Sequence, residues 1–189
     1  MTSRESAPPT DPPSIIPDDK DWTWVLTEPC PDCGFDGAHF DAARTAEVTR
    51  ALGLLWSRLV GAGEDVAVRP DPSVWSTLEY GCHVRDVFEL FATRLARMLA
   101  EDDPLFDNWD QDATAVAQRY DLQDPATVSA DLLRAGEACA AAFGSVEGAA
   151  WRRPGRRSDG ARFTVESFAR YFLHDPVHHL HDVGVAFEV

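Results

Sequence analysis

Four long stretches of this chain carry apolar residues at helical spacing, and none alternates as a strand does. Residues 40–60 place Val48, Leu52, Leu55 and Leu59 in step with Ala43 and Ala51, the period that lays one apolar stripe along a helix. Residues 73–99 repeat it through Leu78, Val87, Leu90, Phe91, Leu95 and Met98, with Ser73 expected as the N-cap. Asp124-Pro125 pairs a capping side chain with proline at the first helical position, predicting a third helix to residue 143. Thr164-Val165-Glu166 opens a fourth, running towards residue 185. Amphipathic helices bury their stripes only against other elements. The predicted fold is therefore all-α, a four-helix bundle, with residues 144–160 and an acidic stretch at 101–112 as loops.

The remainder divides simply. Residues 1–19 are polar and contain Pro8, Pro9, Pro12, Pro13 and Pro17. A stretch of that composition buries too little apolar surface to order itself, and is expected to be a disordered tail. Residues 20–39, with Trp22 and Trp24, are expected as an irregular extension packed on a bundle of residues 40–189. In a chain of 189 residues, an apolar content of 44% suffices for one sizeable core.

The formal net charge of -15 argues against binding nucleic acid through phosphates, and against an anionic membrane surface. No apolar run approaches the ~20 residues of a membrane span. The N-terminus lacks the basic start and apolar core of a secretory signal, so a cytoplasmic location is expected. The expected partner is a small molecule, and a homodimer is compatible with the composition.

The histidines point to chemistry. His83 stands alone on the second helix, while His174, His178, His179 and His181 crowd the fourth. Side chains four apart on a helix differ by ~40° in azimuth, so both reach one ion. His174 and His178 have that spacing, and His83 from a facing helix makes a third ligand, leaving a position open as in catalytic sites. Asp175 and His179 are also four apart, rotated by ~100°. Pro176 lies inside both pairs. The set His83, His174 and His178 is favoured, with Asp175/His179 as the competing register. Glu79, one turn before His83, is the candidate outer ligand or general base.

Two further groups stand out. Cys30-Pro31-Asp32-Cys33-Gly34 has the spacing of half a zinc ribbon or of a redox dithiol, but the other cysteines are isolated and the nearest histidine in sequence is His39. The expectation is a turn with free thiols. Cys82 and Cys139 are expected to be packing residues. Arg152, Arg153, Arg156 and Arg157 form the one dense positive patch, suited to an acidic substrate or to the carboxylate of a thiol cofactor. Trp75, Trp109 and Trp151 are candidate pocket aromatics.

The segment Trp75-Ser76-Thr77-Leu78-Glu79-Tyr80-Gly81-Cys82-His83-Val84-Arg85-Asp86, together with His174-x-x-x-His178, resembles the DinB-like superfamily over residues 40–185. That superfamily includes mycothiol-dependent maleylpyruvate isomerases and bacillithiol-transferase-type proteins. The resemblance implies an up-up-down-down bundle of DinB-like type. It implies a zinc- or nickel-like divalent ion (iron is the other candidate) on the three histidines, and thiol-cofactor chemistry. The alanine, arginine and aspartate usage looks actinobacterial, where mycothiol is the relevant thiol. The chain departs from the pattern at Pro176 and in residues 21–36. The leading expectation is a metal-dependent thiol S-transferase or isomerase. The alternatives are a metal-dependent hydrolase on the same ligands and a non-catalytic, metal-stabilised bundle.

Overall fold

The computed structural model describes residues 15–16, 20–63 and 65–189; the tail expected at residues 1–19 lies almost wholly outside the described residues. The bundle is built from α1 (Thr45–Gly61), α2 (Thr77–Ala100), α4 (Pro125–Gly144) and α5 (Val165–Asp182), with a short α3 (Gln111–Ala117) in the connection after α2. α4 lies along both α1 and α2, and α5 packs across α1 and α2. Among the described residues, no helix is long and apolar enough to cross a membrane.

Local chemistry sets the helix ends. Asp124 accepts a hydrogen bond from Thr127 N–H at 2.9 Å ahead of Pro125. Thr164 and Ser167 cap α5 reciprocally. α2 is capped three residues later than expected, by Ser76, because Glu79 at the third helical position completes a capping box with it. Ser73 instead closes a turn on Asp71, its N–H 2.9 Å from Oδ1.

Three short strands depart from the all-helical expectation. β1 (Leu105–Phe106) runs parallel to β2 (Pro154–Arg157), which pairs antiparallel with β3 (Arg162–Thr164). Both expected loops therefore meet in one small sheet, and β3 leads directly into α5.

The core is aromatic where α2, α4 and α5 converge. Phe172 stacks on Phe143 with centroids 5.3 Å apart and meets Phe91 at 5.1 Å; Phe91 in turn lies 4.7 Å from Phe168. α1 and α4 touch backbone to backbone where Gly53 faces Gly136: a Cβ on Gly136 would stand 3.1 Å from the Gly53 Cα. Branching a side chain there forces the helices apart. Gly136→Val should lower the unfolding free energy by about 1–3 kcal/mol in urea denaturation, with the helical circular dichroism retained; an unchanged midpoint would contradict this close approach.

Candidate metal centre

α5 stays helical through Pro176, so its i, i+4 spacings survive. The Trp56 indole N–H donates to the Pro176 carbonyl at 3.1 Å, tying this turn to α1. Two faces of α5 then carry donors. One faces α2: His83, Asp175 and His179 each offer an atom, all within 4.8 Å of one another. The other faces the N-terminal extension: His174 and His178 gather with Cys30 and Cys33 within the same 4.8 Å. The structure thus separates the expected set. His83 meets the competing register, Asp175/His179, while His174 and His178 sit with the cysteines.

The His83 centre is held from several sides. His83 is fully buried, with Nε2 3.2 Å from Asp175 Oδ1. Its ring stacks on Trp109 at 5.3 Å and 13° and tilts against Trp75 at 5.4 Å. Trp109 is fixed by its own N–H, which donates to Thr114 Oγ1 at 2.8 Å. His83 Nδ1 is buried without a hydrogen-bond partner, so aromatic packing orients the ring. His179 Nδ1 lies 2.8 Å from Asp182 Oδ2, and its Nε2 is 3.8 Å from Asp175 Oδ1. A carboxylate on the outer nitrogen fixes the tautomer and ring orientation of a ligating histidine.

The electrostatics suit a cation. Burial pushes the Asp175 carboxyl up, but the charge and hydrogen bond of His83, with His179 and His174, outweigh it and hold the group at about 2. Burial, and then the neighbouring His178, push His174 down to about 4, so its imidazole is neutral near pH 7. Two imidazoles and a carboxylate converging from two helices fit a zinc-, nickel- or iron-class ion with an open position.

Asp175 and His179 line a cavity of about 900 Å³. Trp22 and Trp109 form apolar wall, and Arg94, Arg157 and Tyr171 also line it. Of the four arginines expected to bind a cofactor, only Arg157 reaches this cavity. Its Nε donates to Asp159 at 2.8 Å and its Nη1 to the Tyr171 hydroxyl at 2.9 Å. Arg153 donates to the Met98 carbonyl at 2.6 Å, Arg156 pairs with Asp103 at 2.9 Å, and Arg152 is exposed outside the cavity lining. Arg153 and Arg156 serve the loop and the sheet. Arg94, one helical face among many in the sequence, was missed. It is buried with its Nη2 donating to the Asp107 carbonyl at 2.6 Å, and burial together with Arg157 lowers its pKa to about 10. Trp151 lies outside the cavity lining.

Glu79 is turned away from the cavity. Its carboxylate accepts from Ser76 N–H at 2.8 Å and from Arg69 Nε at 2.9 Å, and it is 2% exposed. Both oxygens are committed to the helix start and the ion pair, so the geometry gives it a structural task in place of the expected catalytic one. Glu79→Gln should cost about 1–3 kcal/mol of stability in thermal or chemical unfolding and leave metal content unchanged; loss of bound metal from a stably folded variant would restore a role at the centre.

A family model for the DinB superfamily matches residues 41–183. No curated protein matches the chain. Among solved structures, YfiT from Bacillus subtilis, described as a probable metal-dependent hydrolase with an unusual four-helix bundle topology, is similar with a TM-score of 0.62. The match covers 92% of this chain and 95% of that one at 15% identity, a likeness that speaks for the fold. The family match spans most of the chain, from the start of the bundle to the end of α5, and the chain belongs to the DinB superfamily.

Proposed function

We propose that this protein is a divalent-metal-dependent enzyme that activates a nucleophile, foremost the thiol of a small mycothiol-type cofactor, towards a small anionic electrophile, giving S-transfer or isomerisation. One observation carries the reading: the donors Asp175 and His179, with His83 behind them, face a cavity that also contains two arginines. The proposed ligands are His83, Asp175 and His179. A divalent ion bound there supplies Lewis acidity and lowers the pKa of a coordinated thiol or water.

The chain's own residues do the rest. Asp175 remains anionic throughout the physiological range and offsets cationic charge between the helices. Asp182 keeps His179 presenting its inner nitrogen. Trp22 and Trp109 exclude water along the cavity wall. Arg94 and Arg157 attract a carboxylate or phosphate into a chain that otherwise repels anions. A cavity of about 900 Å³ has room for a cofactor and a substrate together. Three carboxylates on the wall are already engaged: Asp21 and Asp110 cap helical turns, and Asp159 pairs with Arg157.

The likeness to YfiT, a probable metal-dependent hydrolase, favours a second reading, hydrolysis at the same ligands with water as the nucleophile. The two readings separate in one experiment. Zinc- or nickel-loaded protein is incubated with a small anionic electrophile, with and without mycothiol, and products are resolved by mass spectrometry. Thiol conjugates or thiol-dependent isomerisation are expected, and thiol-independent hydrolysis would replace this reading with the second. Asp175→Asn, which replaces a proposed ligand, should reduce turnover and metal affinity by more than the about 10–100-fold typical of losing a ligand's outer partner. Arg157→Gln should chiefly raise KM, by about 10-fold for an anionic substrate, as expected for the loss of a charged hydrogen bond worth about 1.5 kcal/mol.

A further inference from the structure

Cys30 and Cys33 sit in a tight turn that the catalytic reading leaves without a task. Gly34 N–H donates to the Cys30 carbonyl and Cys30 N–H to the Phe35 carbonyl, each at 2.9 Å. Gly34 closes the turn at φ +75, where a Cβ would be strained. Burial pushes the Cys33 thiol up to about 12, against a hydrogen bond from the Phe35 amide to its sulfur. Across from the turn, 148 positions later in the chain, Cys30 Sγ lies 3.5 Å from His178 Nδ1. His174 is 4% exposed, and its Nε2 is buried with no hydrogen-bond partner. A buried ring nitrogen left unpaired is costly; here its residue belongs to a group of two cysteines and two histidines whose donor atoms all lie within 4.8 Å.

We propose that Cys30, Cys33, His174 and His178 form a second metal site, a closed tetrahedral one for a zinc-class ion, distinct from the centre at His83. An ion with Zn–S of ~2.3 Å and Zn–N of ~2.0–2.1 Å sets its ligand atoms roughly 3.3–3.8 Å apart. Closing the group to that spacing takes movements of about 1 Å or less. Sulfur and imidazole donors select zinc over magnesium or calcium. Four protein ligands leave no open position, which makes the site structural. Binding converts two thiols to thiolates and releases two protons to solvent, so the divalent charge is neutralised within the site. Its mechanical effect is to clamp the N-terminal extension onto α5. Trp22, on that extension, lies 5.2 Å from the His174 ring and 4.9 Å from that of His178, and it is also cavity wall. The clamp therefore fixes one side of the cavity into which Asp175 and His179 face.

The test is a cobalt titration of the full-length protein after chelator treatment under reducing conditions. Wild-type protein should take up about two equivalents per chain, one of them with thiolate-to-cobalt charge-transfer absorption in the near ultraviolet. Cys30→Ser/Cys33→Ser should lose that absorption and one equivalent. His83→Ala/Asp175→Asn should lose the other equivalent and keep the absorption, so failure at either centre is told apart from failure at the other. A second measurement needs no variant: zinc should slow alkylation of Cys30 and Cys33 by iodoacetamide at least ~10-fold, because a coordinated thiolate is shielded from attack. Wild-type protein with no charge-transfer band, alkylation indifferent to zinc, or a Cys30–Cys33 disulfide that persists under the reducing conditions would each overturn the proposal.

Discussion

Both candidate metal-ligand clusters depend on α5 remaining a helix across Pro176. Proline removes the hydrogen bond to the Phe172 carbonyl and crowds the preceding turn. The loss falls where Phe172 and Leu173 are wholly buried, so packing holds the turn that the backbone bond does not. The Trp56 N–H on the Pro176 carbonyl adds a tie to α1. Had the chain restarted a helix at Asp175-Pro176, neither His174/His178 nor Asp175/His179 would keep the one-turn spacing that brings a pair to one point.

Much of the bundle was legible because its signals are local. Asp124-Pro125 and Thr164-Val165-Glu166 mark helix starts by side-chain chemistry, and both α4 and α5 begin there. Ser73 misled for the same reason: it has a capping side chain, but only Ser76 has a partner three residues on, in Glu79. That partnership also withdrew Glu79 from the site. The strands were not legible. β1 has two residues and β2 reads Pro-Gly-Arg-Arg, so neither offers an apolar alternation. They form through backbone pairing between loops distant in sequence.

The histidine register was half legible, and the missing half is instructive. Spacing alone presents two donor pairs ~100° apart on α5, and with a single bundle core in mind only one of them finds a neighbour. The extension supplies a second wall. His83 takes the pair facing α2, while Cys30 and Cys33 come to the pair facing outward. The clue lay in the Cys-x-x-Cys spacing, but its partners stand at the opposite end of the chain, where sequence proximity carries no information. Arg94 was hidden differently. Arg85, Arg94 and Arg97 all lie on α2, and only the packed structure shows that Arg94 is the one that lines the cavity.

Asp182 joins the two clusters physically. One oxygen lies 2.8 Å from His179 Nδ1, the other 3.9 Å from His178 Nε2. Its pKa is pushed up by burial but lowered overall by the hydrogen bond from His179 and the nearby imidazoles, so it stands as an anion between them. Burial, and then repulsion from His178, works against protonating His174, and neutral imidazoles are the form that ligates a metal. The same residues thus keep one another in a metal-competent state while the bulk of the chain is acidic. An extension held on one face of α5 and α2 on the other confine the last helix from both sides. The cavity between them is consequently shaped by packed elements, which under the proposed function would hold the candidate metal ligands at a set distance from Arg94 and Arg157.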